Sequence, residues 1–189
     1  MDVIMVNSTY KHSQGMTFIE VLVALFIMIT GILGAVAMQA TVKKGSFDAM
    51  QRSLASALAQ DIIERMRGND PSSLDSYQGV YGNKNLSAPS VRCNSVTTLC
   101  TPAQMVTNDL YEWEQNLQGA NVQAAGNNAG GLIAALGCIS HSANSVTVVV
   151  TWQGREATSD GASNNSSVAQ SCGSSSNKRR QVVVNGFIY

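Results

Sequence analysis

The chain has 189 residues, 44% of them apolar, and 12 basic residues balanced by 12 acidic ones. That length suits one domain, and the zero formal charge argues against a general polyanion binder, which leans on a basic surplus. Two histidines, His12 and His141, leave little material for histidine-based catalysis, and no nucleophile elbow, phosphate loop or paired-carboxylate motif is present.

Residues 1–14 are short and polar, with Lys11 as the one firm positive charge. Gly15-Met16-Thr17-Phe18-Ile19-Glu20 follows and leads into an apolar run. From Val21 to Met38 there are 18 residues without a charge. As a helix that run spans ~27 Å, close to the thickness of a bilayer core. Glu20 stands at its start, where a carboxylate is costly in hydrocarbon and needs a partner. Three outcomes compete for this segment. It is a signal peptide cut after Ala37 in Ala35-Val36-Ala37, a plain anchor, or an anchor processed on its polar side at Gly15.

Helix signals continue past the run. Between Gln39 and Arg67 there is no proline, and Gly45 is the one breaker. Phe47, Met50, Leu54, Leu58, Ile62 and Met66 recur every three or four residues as an apolar stripe. Asp48–Arg52 and Asp61–Arg65 have i,i+4 spacing on the wetter side. Gly68-Asn69-Asp70-Pro71 ends the helix. The pattern predicts one helix over 16–67, ~78 Å long, weakest near Gly31 and Gly34.

Residues 72–99 read as loop. Thr101-Pro102-Ala103-Gln104 is a helix start with capping-box spacing. Val106, Leu110, Trp113 and Leu117 form its apolar face, with Asp109, Glu112 and Glu114 assigned to the wet side. Residues 120–131 read as loop and Leu132–Ile139 as a strand, followed by a turn at 141–144 that holds His141. Ser145–Trp152 is the clearest strand, with Val146, Val148, Val150 and Trp152 on one face. Residues 154–176 are a Ser/Asn/Gly surface loop. Gln181–Val184 and Phe187–Tyr189 close the sheet around an Asn185-Gly186 bulge or turn. Lys178-Arg179-Arg180 reads as a solvated strand edge, with DNA contact as the less favoured alternative. Trp113 and Trp152 are expected in the core.

Four cysteines, Cys93, Cys100, Cys138 and Cys172, all follow the apolar run, which fits an oxidising compartment. They admit three pairings. The preferred set is Cys93–Cys100, closing a short loop, with Cys138–Cys172 tying the sheet to the Ser/Asn loop. The spacing does not suit a metal, and no cofactor is expected.

Gly15 to Glu20 and the apolar run resemble the class III signal of type IV pilins and type II secretion pseudopilins. Residues 52–69, Asp109-Leu110-Tyr111-Glu112-Trp113 and Val146–Trp152 resemble segments of the PilV minor pilins, the type IV pilus modification proteins. The resemblance implies an α+β pilin fold, a long N-terminal helix on a small antiparallel head. It divides the chain into a leader (1–15), a membrane or filament-core helix (16–40), an amphipathic second half (41–68) and a disulfide-bearing head (69–189). It further implies cleavage by prepilin peptidase between Gly15 and Met16, methylation of the Met16 amine, and a register pairing of Glu20 with the amine of a neighbouring subunit. The alternative for Glu20 is a carboxylate reaching water at the membrane interface. The implied function is a minor pilin, not an enzyme, acting in initiation of pilus assembly and at or near the tip. Its partners would be other major and minor pilins and a tip adhesin. It would move from the inner membrane, with a periplasmic head, to the fimbrial surface. A type II secretion pseudopilin is the near alternative, and an exported periplasmic enzyme cut after Ala37 the distant one.

Overall fold

A computed structural model of the chain describes residues 15–95, 97 and 99–189. The expected leader therefore lies outside the described residues except for Gly15. The boundary between two structural units falls between Gly45 and Ser46. One helix, α1 (Phe18–Arg67), contributes residues to both.

The first unit is the apolar part of α1. Every residue from Val21 to Met38 is exposed. Thr30 turns its hydroxyl back onto the carbonyls of Phe26 and Ile27, at 3.0 and 2.9 Å. This satisfies the one hydroxyl of the run inside the helix, as an apolar solvent requires.

The second unit, Ser46–Tyr189, is the head. Asp70 caps a 3-10 turn, Pro71–Ser73, which runs into α2 (Leu74–Tyr77) and β1 (Gly79–Tyr81). Then come α3 (Pro102–Leu117), a small hairpin of β2 (Gln123–Ala124) and β3 (Asn127–Asn128), and the long strands β4 (Leu136–Ser142) and β5 (Ser145–Gln153). A short α4 (Ser167–Ser171) precedes β6 (Arg179–Phe187). The main sheet is antiparallel with order β1-β4-β5-β6. The architecture is α+β, a long helix with an antiparallel sheet head, as in type IV pilins.

The core lies between α1, α3 and one face of the sheet. It joins Leu58, Ile62 and Met66 to Trp113, Leu117, Val146, Val148 and Val150. The opposite sheet face carries a smaller cluster of Cys138, Val149, Ala169 and Cys172. Trp113 fits because β4 offers it Gly137. A Cβ there would stand 2.2 Å from the indole ring. The capping box at Thr101 and Gln104 is formed in both directions. Gly119 sits at φ +66°, and any side chain there would run into the Gly130 carbonyl.

Five expectations need correction. The buried face of α1 is Gln51, Ala55, Leu58, Ala59, Ile62, Ile63 and Met66, whereas Met50 is 59% exposed. The stripe drifts because small alanines, not only large apolar residues, let the sheet approach. The segment 72–99 is not all loop, since it supplies α2 and the edge strand β1. Residues 120–131 contain the β2–β3 hairpin. The strand expected from Leu132 begins at Leu136. Asn185-Gly186 is no turn but continuous strand, paired to Thr147 and Val146, because Ile63 packs against the bare Cα of Gly186.

Candidate functional site

The site is the start of α1. Gly15, Met16 and Thr17 precede the helix, and Thr17 caps it. Its carbonyl accepts from the amides of Glu20 (3.1 Å) and Val21 (3.3 Å), and its hydroxyl accepts from the Glu20 amide at 3.4 Å. Thr17 and Glu20 thus have the Thr-x-x-Glu spacing that starts helices. The Glu20 carboxylate lies in the first turn, where the helix dipole favours negative charge. Met16 and Glu20 are four residues apart in the sequence. The apolar surface beyond is open to a partner or to lipid, and Phe26 is 69% exposed. Gly31 and Gly34 have no atom within 4 Å of a would-be Cβ. Nothing in the chain itself requires them to be glycine.

The head overturns the expectation that Asp109 and Glu114 face solvent. Asp109 is 5% exposed and Glu114 is fully buried. The Glu114 carboxylate accepts from three backbone amides, those of Gly82 (2.9 Å), Lys84 (2.8 Å) and Leu86 (2.7 Å). It orders the loop after β1 by giving its amides a charged acceptor. Asp109 accepts from the Tyr77 hydroxyl at 2.6 Å and from Arg65 at 3.3 Å. Arg65 also reaches Asp61 (3.1 Å) and Glu112 (2.9 Å), and Arg92 meets Glu112 at 2.8 Å. Trp113 donates its indole N–H to the Leu58 carbonyl at 2.8 Å. The second half of α1 is therefore fastened to α3 by charge as well as by packing.

The titration of this cluster follows from its surroundings. Burial pushes the Asp109 carboxyl above its usual range, against the pull of Tyr77 and Arg65. Burial acts the same way on Glu112, but hydrogen bonds from Arg65, Arg92 and Asn108 outweigh it and hold that carboxyl low. Burial, with the nearby Glu114 charge, pushes the Tyr81 hydroxyl up to about 12. One signal in the sequence could have revealed the buried acids. Asp109 is three residues after Val106, and Glu114 is four after Leu110 and three before Leu117. Both fall on the apolar stripe of α3.

Arg179 needs the same correction, since it is no solvated edge residue. It is 7% exposed and grips Asp160 through two nitrogens at 2.7 and 2.9 Å. It also donates to the carbonyls of Gln170, Cys172 and Gly173. These bonds hold the Asp160 carboxyl well below the usual carboxylate range, Arg179 contributing most. Arg180 spends its guanidinium on loop carbonyls, among them Glu156 at 2.8 Å. Two of the three cations in the basic run are thus internal fasteners of the 154–177 loop. The disulfides are Cys93–Cys100 and Cys138–Cys172. The second ties that loop to β4. His141 meets Asp75 at 2.7 Å. No cluster that could hold a metal ion occurs among the described residues.

Comparison with known families agrees with this geometry. Residues 10–36 match the prokaryotic N-terminal methylation motif, and residues 37–111 match the family described as type IV pilin Tt1218. The two matches together support a type IV pilin. No curated protein and no solved structure matches it. The matched type IV pilin family is structural rather than enzymatic. The chain's motif implies processing by prepilin peptidase and assembly with other pilins. Its apolar helix is long enough to cross a membrane, which suits an anchor held there before assembly.

Proposed function

We propose that this pilin is a minor subunit of the PilV branch, acting in initiation of pilus assembly and residing at or near the tip. Cleavage after Gly15 frees the amine of Met16, which is then methylated. Residues 16–40 serve first as the membrane helix and then as the filament-core helix. Residues 41–68 carry the head, 69–189. Glu20 pairs with the Met16 amine of a neighbouring subunit and sets its register. The observation that carries this reading is an uncharged helical surface, Val21–Met38, that is exposed throughout and begins at a lone carboxylate. Such a surface needs an apolar partner, and lipid or other pilin helices supply one at similar free energy. A carboxylate and an amine that meet there lose less than either charge alone. The PilV assignment rests on the resemblance of residues 52–69, 109–113 and 146–152.

Mass spectrometry of the mature N-terminus tests the processing. The expected species begins at N-methylated Met16, and a chain beginning at Met38 sinks the proposal. The role is read from a deletion strain. Loss of surface pili with intact secretion supports the minor pilin, whereas loss of protein secretion with intact pili identifies a pseudopilin. In the same assay Glu20→Ala is expected to leave processing normal and impair piliation.

A further inference from the structure

The loop after β1 and the first half of α3 flank a cavity of about 400 Å³. Small ligands sit in cavities of that order, on apolar walls with a few polar groups at fixed places. Leu86, Val106 and Leu110 supply the apolar wall here, and no acid lines the cavity. Val106 and Leu110 belong to the buried face of α3, so this wall is the outer side of the head's core.

One cation stands at the cavity, and its position is fixed from both ends. The Glu114 carboxylate accepts from the Lys84 amide at 2.8 Å. The Lys84 ammonium lies over the Tyr81 ring, 4.3 Å from its centroid. That ring is buried, and its hydroxyl donates to the Tyr77 carbonyl at 3.0 Å. An aromatic face attracts an ammonium but leaves its three N–H donors without lone-pair acceptors. No carboxylate among the described residues pairs with Lys84. The hydroxyls of Ser76 and Ser87, which also line the cavity, make no hydrogen bond among the described residues.

These features select a ligand. An uncharged apolar molecule entering the cavity would strip water from the ammonium and return no acceptor. A cation would meet like charge. An anion with an apolar body suits both the wall and Lys84. One ammonium matches one negative charge, and a carboxylate can accept from it and from a serine hydroxyl together. We infer that the cavity between the 82–87 loop and α3 binds a small organic carboxylate with an aryl or branched-alkyl body, its charge on Lys84. A peptide chain end is the poorer occupant. The backbone amides of Lys84 and Leu86 are already committed to Glu114, at 2.8 and 2.7 Å. A peptide's carbonyls would find those donors taken. The site lies within the head and does not depend on the pilin reading.

The test uses the full chain in detergent and follows the methyl resonances of Val106 and Leu110 by NMR during titration. The probe is hydrocinnamate, compared with its uncharged amide and with a short peptide ending in phenylalanine. Hydrocinnamate is expected to shift those resonances saturably and to bind at least about tenfold tighter than the amide. Lys84→Met keeps an apolar stem but removes the charge, and it is expected to bring acid and amide to equal affinity. Ala103 is exposed and lines the cavity. Ala103→Trp fills the space and is expected to abolish binding of both. The methyls of Val148 and Val150, in the same core, report that each variant is folded. The inference is overturned by the absence of a saturable shift, or by equal binding of acid and amide to the unaltered chain. A preference that survives Lys84→Met, undiminished binding in Ala103→Trp, or binding of the peptide alone overturns it too.

Discussion

The two units of this chain invert each other. The apolar run Val21–Met38 of α1 exposes its side chains and holds its one hydroxyl inward, whereas the head buries Asp109, Glu114 and Arg179 among apolar neighbours. Burial of apolar surface is the main driving force of folding, so the first unit is incomplete without a partner. The head has its own core, and within it charges are tolerated because each is matched by several hydrogen bonds. Exposure in the first unit therefore marks function, while charge in the head marks structure. A composition count treats both as anomalies and cannot tell them apart.

Equal truncations in the two units should break that symmetry most clearly. Trp113→Ala removes a fully buried indole and its bond to Leu58. It is expected to lower head stability by about 4 kcal/mol, read by denaturant unfolding in detergent. Phe26→Ala removes a comparable ring from the exposed unit. It should leave that unfolding free energy within about 0.5 kcal/mol. A large effect of Phe26→Ala would show that the apolar half is packed in the isolated chain.

A smaller effect is expected at Glu114. Glu114→Gln keeps the shape but replaces a carboxylate that serves three amides with a neutral group. A loss of about 2 kcal/mol is expected, with faster amide exchange at Gly82, Lys84 and Leu86. Unchanged exchange would mean that the loop is held by other contacts.

The smallest effect is in pH dependence. Glu112 and Asp160 are held low, so their stabilisation is complete above the unfolded carboxylate value of about 4 and is lost as pH falls through their folded values. Asp109 is held high, so its protonation favours the folded head, and its contribution runs the other way on acidification. Asp109→Asn removes that offset. Thermal unfolding followed from pH 7 to pH 3 should then show a steeper loss of stability in the variant. A shallower profile would mean that Asp109 is charged without penalty in the native head.

Much of the fold was legible in the residues because it depends on local rules. The Thr101 capping box, the apolar face of α3 and the β-branched run of β5 each follow from short-range spacing. The wrong readings came from neighbours distant in sequence. Asn185-Gly186 looked like a turn until Ile63 and β5 were present to hold it as strand. The 154–177 loop looked featureless because Asp160 and Arg179 are separated by enough chain to hide their pairing. The free edge of β6 could not be foreseen either, since which strand ends a sheet is a property of topology.

The sequence by itself determined the character of the N-terminal half. The proposed cut site at Gly15 and the carboxylate at Glu20 were read from a motif, and the uncharged run to Met38 from composition. A single helix needs no distant partner to define its surface, so these features are local. Only the tertiary structure decided which partners the internal charges of the head meet, how β6 closes the sheet and where that sheet stays open. Those outcomes depend on which residues meet across the chain. A buried acid and an exposed one share the same letter until the helix that carries them is packed.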